Sequence, residues 1–493
     1  MSAGEPALVL RESSSSSRQA RTGIGLRRLQ LPGLNRLIID ACSRAGCHRP
    51  PQSQRDYDFT AYDWIVRAAT SALSKEVLDL RKRWWYLLPA VFITYSLAYL
   101  DRANYGLGAA AGLARSLHIT DKQNSLLAAL FFLGYFLFQV PGATFARKHS
   151  PTRVIFLSLI IWGALASLTG IIHQFWLLAI DRFLLGIAES IVFPAMLFLV
   201  TQWFTRSERS RANTVLILGN PLTVLWMSAI TGYLIKILGW QKTFVIEGIP
   251  AICWAVLWSL IARDRPSKAR WITPEAAELL ERQLAVEQLT IAPVGAVRKV
   301  LLRGDVLLLS FQYFCWSLGV YGFVLWLPSI VRRSGSFSIQ VTGLLSAAPY
   351  LIAVLLMLLV SHISDRTLKR ESLVWPFLFM AGVALLGSFV LADKSFSSAF
   401  ACLVIAGACM YAPYGPFFAI IPERVPSNVT AEVIAVVNSS GALGAFVGSY
   451  LVGLLQAVTG DARASYMLMS ISLICSALLM LKLRTTPVAT QTQ

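Results

Sequence analysis

Twelve stretches of this chain are long and apolar enough to cross a lipid bilayer, and that pattern restricts the fold more than any motif does. They lie near 84–106, 122–145, 152–172, 175–201, 213–236, 240–262, 305–330, 340–362, 373–392, 397–418, 429–457 and 464–483. Hydrocarbon offers backbone amides no partner, so each crossing segment must satisfy its own hydrogen bonds, which a helix of about 20 residues does. The expected class is an all-α membrane protein with twelve transmembrane helices. Only 14% of the residues are charged, against about 25% in soluble domains. No nucleophile elbow, HExxH or phosphate-cradling glycine loop occurs, so an enzyme is not expected.

The net charge of +18 would suit a nucleic-acid partner if it were clustered on a soluble face. Instead the bases fall in alternate connections: Arg81, Lys82 and Arg83; Arg147, Lys148 and Arg153; Arg206, Arg209 and Arg211; eight between 263 and 304; Arg366, Lys369 and Arg370. The intervening loops are poor in them. That asymmetry is the positive-inside rule, and it predicts a multi-pass protein of the inner or plasma membrane with both termini in the cytoplasm. The basic excess orients the chain in lipid, and no nucleic-acid partner is expected. Five cysteines lie inside apolar runs, where they act as small hydrophobes. Cys42, Cys47 and His48 fit no zinc spacing, so neither a metal nor a cofactor is expected.

The chain divides into a basic, Ser-rich extension (1–80), a six-helix half (81–262), a polar linker (263–304), a second six-helix half (305–485) and a tail (486–493). The extension lacks the apolar core of a secretory signal; it reads as disordered, or as an artefact of the gene start. Within the linker, Thr273 and Pro274 open a stretch with apolar residues at Ala276, Leu279, Leu280 and Leu284. This predicts a short amphipathic helix capped by Thr273 and running to Gln288.

Four ionisable residues stand inside hydrocarbon: Asp101 and Arg102 in the first run, Arg182 and Glu189 in the fourth. A charge at mid-bilayer costs roughly 2.5–3.5 kcal/mol on the insertion scale, so each needs a partner or a wet cavity. Asp101 and Arg102 project about 100° apart on a helix, about 25 Å from its start at 1.5 Å per residue. They are read as cavity residues, with a static ion pair or a snorkelling Arg102 as the plain alternative. Arg182 and Glu189 are two turns apart, a rise of ~10 Å, so pairing across to the first span is more economical: Glu189 with Arg102, or Arg182 with Asp101.

Two connections, PGATFARKHSPTR (141–153) and SHISDRTLKR (361–370), are short, basic and 220 residues apart, as if the halves were repeats. With YLDRANYG (99–106), DRFLLGIAESIVFP (181–194), WFTRSERSRAN (203–213), WQKTFVIEGIP (240–250) and YGFVLWLP (321–328), the chain over 76–485 resembles the Major Facilitator Superfamily, and within it the anion:cation symporters. The first-half loop departs from the superfamily pattern, with Arg147-Lys148 where an acid and a base would stand.

That resemblance implies two six-helix halves around a midplane site, and proton-coupled uptake of a small organic anion such as a sugar acid, with H+ and the bilayer as partners. No cofactor beyond the proton gradient is implied, and a monomer is expected. By resemblance Asp101 and Glu189 are proton-coupling acids, Arg182 the gating partner of Glu189, and Arg102 the carboxylate-binding arginine. Substrate contacts map to Tyr135, Asn220, Tyr321 and Asn438, and the gating loop motif to Asp365 and Arg366. Tyr135 and Tyr321 also fit plain packing, Asn438 an interhelical hydrogen bond, and the span-10 contact is either Phe418 or Tyr414. Asn220-Pro221 is expected to break span 5, and Gly444-x-x-x-Gly448 to permit close helix packing. Glu247 has no assigned role. The alternatives are a proton-driven exporter, a carrier of dicarboxylates or aromatic acids, and a sensor that does not transport. A glycine-poor span 5 (214–232) argues against export, and Arg102 against a neutral-sugar facilitator.

Overall fold

The computed structural model describes residues 79–100, 113–288, 297–333, 339–459 and 463–485, with Arg102, Tyr105, Gly108 and Val294. They belong to one compact unit, 76–493. Asp101, the serine run, Cys42, Cys47, His48 and the tail lie outside the described residues.

Every regular element among them is helical. Ten stretches are long and apolar enough to span a membrane. The helix over 79–100, which Arg102, Tyr105 and Gly108 continue, is span 1, and one arm of Gly219–Ile261 completes the twelve. Spans 2 and 3 are Asp121–His149 and Pro151–Thr169. Span 4 is two helices, Phe175–Ser190 and Val192–Trp203. Span 5 comprises Arg209–Ile217 and the first arm of Gly219–Ile261; span 6 is the second arm. Spans 7, 8 and 9 are Gly304–Arg333, Ile339–Thr367 and Arg370–Leu391. Span 10 is Phe396–Tyr411 plus Tyr414–Arg424, and spans 11 and 12 are Thr430–Thr459 and Arg463–Thr485.

Spans 5 and 6 meet at Gly239, with φ +78° and ψ 163°, a region essentially reserved for glycine. Gly239→Ala is expected to cost about 1–3 kcal/mol. A lowered melting temperature of the purified protein would report it, and an unchanged one would refute the backbone argument.

Three spans break for one shared reason. Interruptions at Ile191, Leu218 and Pro413 each fall three residues before a proline, Pro194, Pro221 and Pro416. A proline supplies no N–H to the carbonyl four residues back, so the helix fails in that turn. The expected break of span 5 occurs; those in spans 4 and 10 are additional, since both read as continuous apolar runs.

Close helix contacts rest on glycine. A Cβ at Gly186 would strike the Phe131 backbone, and one at Gly134 the Phe183 backbone, so spans 2 and 4 meet backbone to backbone. Gly444 and Gly448 do the same against Phe314 and Leu318 of span 7. Spans 2 and 4, and 3 and 6, pack within the first half; 7 and 11, and 9 and 12, within the second. Spans 2 with 11 and 5 with 8 join the two halves.

The linker forms the helix Pro274–Gln288, burying Ala276, Leu280 and Leu284, with Leu279 partly buried. Its start is tied down by an acid that the sequence did not suggest: the Thr273 amide donates to Asp79 at 2.6 Å. Trp271 stacks between Tyr86 and Trp203, at 5.2 and 5.0 Å between ring centres.

Candidate functional site

A small cavity of about 40 Å³ lies between the halves. Arg102, Tyr135, Asn220, Tyr321 and Asn438 all line it, from spans 1, 2, 5, 7 and 11. Phe193, Asn220 and Tyr414 bring the three proline breaks to its wall. Irregular backbone at membrane depth is tolerated where it borders such a space.

Arg102 turns into the protein, which excludes the snorkelling alternative. Its Nε donates to Glu189 Oε2 at 2.8 Å, and its guanidinium lies over the Tyr135 ring, 4.3 Å from the centre. Glu189 is fully buried, and its second oxygen, Oε1, has no hydrogen-bond partner. Of the two pairings the sequence offered, Glu189 with Arg102 is seen, and Arg182 with Asp101 falls outside the described residues. Arg182 makes no direct ion pair with Glu189; it sits over Tyr105 and Phe131, at 4.5 and 5.0 Å. Asn438 lines the cavity and also bridges the halves, donating to Gln139 Oε1 of span 2 at 2.7 Å. Tyr414 reaches the cavity, whereas Phe418 packs behind it against Phe193 and Tyr313.

The basic end of the bundle is closed by charge. Asp365 of span 8 accepts from the amides of Ser210 and Arg211 at 2.9 and 3.0 Å, at the start of span 5, and from Arg211 Nε at 3.0 Å. A carboxylate at a helix N-terminus meets both free N–H groups and the positive end of the dipole. Arg370 Nη1 donates to Asp365 at 3.2 Å, its Nε donates to Glu423 at 2.6 Å, and its Nη2 donates to the Arg206 carbonyl. Arg366, the motif arginine expected here, is exposed; the lock uses Arg370, four residues on, which is fully buried. Span 8 ends at Thr367 and the chain turns at Leu368, with φ +54°, so Arg366 and Arg370 fall on different helices and Arg370 opens span 9. On the other seam Arg147 Nε donates to Glu432 Oε1 of span 11 at 2.7 Å. The departure of the first-half loop from the common pattern thus has a partner. Among the described residues no cluster of His, Cys, Asp and Glu is arranged to hold a metal.

The sequence matches the profile of the Major Facilitator Superfamily over residues 91–449, and again over 336–493. The chain belongs to the Major Facilitator Superfamily. It is a multi-pass membrane transporter of small organic compounds. This superfamily member is similar to a quinolone resistance transporter of Acinetobacter baumannii, 31% identical over 407 residues, covering 80% of this chain and 92% of that protein. It is similar also to a putative tartrate transporter of Agrobacterium vitis, 30% identical over 429 residues, covering 85% and 94%. Among solved structures, the proton:xylose symporter XylE aligns with a TM-score of 0.64 at 13% identity, covering 80% of this chain and 95% of XylE. The human organic anion transporter MFSD10 aligns with 0.60 at 15%, covering 80% and 99%. At those identities the likeness concerns the superfamily fold alone.

Sequence reasoning about this superfamily transporter missed Tyr95, Tyr313 and Ser317 on the cavity wall, Glu423 and Glu432 at the basic end, and Asp181 in span 4. Asp181 carried a visible signal, an acid inside an apolar run beside Arg182. The tyrosines carried none, because aromatic residues are common throughout the spans.

Proposed function

We propose that this transporter takes up a small organic anion together with a proton, seating the anion's carboxylate on Arg102. The observation that carries the reading is the Arg102–Glu189 pair, placed where the arginine lines the cavity between the halves and the acid has one unsatisfied oxygen. Arginine's planar fork matches a carboxylate and keeps its charge in a dry site. An arriving carboxylate competes with Glu189 for Arg102. Glu189, losing its counter-charge while buried, then takes a proton. The loaded site is nearly neutral, and moving it past hydrocarbon costs less than moving either ion alone.

The tartrate transporter among the relatives supports an anionic substrate, and sugar acids are the first class to try. With the basic end taken as cytoplasmic, the lock of Asp365, Arg370 and Glu423 shuts the cytoplasmic side, which fits loading from outside across the inner or plasma membrane. Asp101 is proposed as a second coupling acid and Arg182 as a gating partner, each by resemblance. A second reading, proton-driven export, is favoured by one observation, the 31% identity to the quinolone resistance transporter.

A thermal-shift screen of the purified protein against sugar acids, tartrate and aromatic carboxylates at two pH values identifies the ligand. Uptake in proteoliposomes then separates the readings: an inward proton gradient drives accumulation if the protein is an importer and depletion if it is an exporter. Glu189→Gln is expected to retain exchange and lose uphill accumulation. Full accumulation by that variant would remove Glu189 from coupling.

A further inference from the structure

Asp181 is a buried acid in span 4. It lies about two turns into the outer segment of span 4 and is 4% exposed. Among the described residues no base forms an ion pair with it. Its neighbour Arg182 turns to the other face, over Tyr105 and Phe131. Asp181 faces span 3, with Oδ2 2.6 Å from the hydroxyl of Thr169, while its buried Oδ1 has no hydrogen-bond partner. Elsewhere around it, the one charge of span 3 is Arg153, 16 residues before Thr169 at the opposite end of that helix, His173 in the following loop is exposed, and Glu247 of span 6 lies 2.6 Å from the Thr231 hydroxyl of span 5.

Thr169 decides the proton count. Its Oγ1 lies 2.6 Å from Asp181 and also 3.2 Å from the Leu165 carbonyl. A hydroxyl owns a single hydrogen. Were Asp181 a carboxylate, both neighbours would be acceptors, one contact would hold no hydrogen, and a charge would lie in hydrocarbon with no ion-paired base among the described residues. Were Asp181 a carboxylic acid, it would donate to Thr169 and Thr169 would donate to Leu165. Both contacts become hydrogen bonds and the charge disappears, which is how buried, unpaired acids normally resolve their cost.

We propose that Asp181 is a second proton-binding site, separate from the cavity, and that it carries its proton in this conformation. It shares one unbroken helical segment, Phe175–Ser190, with Glu189, eight residues or about 12 Å further along. The proline break at Ile191 frees that segment from the rest of span 4. A shift that parts Glu189 from Arg102 therefore also parts Asp181 from Thr169. On that parting the Asp181 O–H bond breaks, its electron pair stays on the carboxylate, and the proton passes to water at the outer end. The link to transport rests on the proton-coupled reading above; the protonation itself does not.

Infrared spectroscopy of the full chain in liposomes at neutral pH tests the protonation without any substrate. The wild-type minus Asp181→Asn difference is expected to contain the C=O stretch of a protonated carboxyl, moving to lower frequency in D2O. Thr169→Val should raise that frequency, because the acid loses its acceptor. Glu189→Gln should leave the band in place. If Asp181→Asn removes no such band, or if Thr169→Val leaves the region unchanged should Asp181→Asn fail to fold, Asp181 is ionised and the proposal falls. Loss of the band with unimpaired proton-driven accumulation in Asp181→Asn would keep the site and remove its link to transport, leaving the role of Glu189 to its own test.

Discussion

Arg370→Ala is expected to unlock the basic end of the bundle. Arg370 is fully buried and serves two acids and a backbone carbonyl, from Asp365 of span 8 to Glu423 of span 10 and Arg206 ahead of span 5. Removing it leaves Asp365 to Arg211 and the span 5 amides, and Glu423 to the half-exposed Arg206 alone. Breaking a buried pair by deleting one partner costs about 3–5 kcal/mol, because the remaining charge stays desolvated. Opening the seam is the cheapest relief, since it admits water. Spin labels at Lys148 and Thr367, both exposed and on different halves, should move apart in the variant on a background without native cysteines. Arg370→Lys should fall between, keeping the charge without the fork that reaches three acceptors. An unchanged distance distribution in Arg370→Ala would show that packing, and not this arginine, shuts the end.

Arg102→Ala should abolish stabilisation by every carboxylate that protects the wild type in the thermal screen. The same 3–5 kcal/mol applies to Glu189, which is buried and left without its cation, so the variant melts lower unless Glu189 takes a proton. Its melting temperature should therefore rise toward that of the wild type as the pH is lowered. Arg102→Lys keeps a charge for Glu189 but lacks the planar fork that matches an arriving carboxylate. Its ligand response should be lost while its stability is largely kept. A wild-type ligand shift in Arg102→Lys would move the anion site elsewhere in the cavity.

The fold was readable because lipid leaves so few options. Runs of about 20 apolar residues give the number of crossings, because each must satisfy its own backbone as a helix. The breaks were only partly readable, and the residues explain why. Asn220-Pro221 announces itself through a polar neighbour, whereas Pro194 and Pro416 stand among Phe and Ala, where hydropathy shows no gap. Of the site, charges were legible and partners less so. Arg102 and Glu189 stand out against hydrocarbon wherever they point, but which acid meets which base depends on helix rotation, which periodicity constrains poorly over a span apolar on all sides. Arg370 hid behind Arg366 for a related reason. Both stand in one basic loop, and only the geometry at the end of span 8 decides which of them turns inward.

The two seams at the basic end differ in kind. Asp365 and Arg370 are each 1% exposed in their side chains, whereas Arg147 on the span 2–11 seam is 24% exposed. Dissolved salt weakens exposed pairs far more than sealed ones. Raising the ionic strength should therefore slacken the Arg147–Glu432 edge while the span 5–8 edge holds. The halves would then swing like a door, with span 8 against span 5 as the hinge post and Arg147 at the free edge.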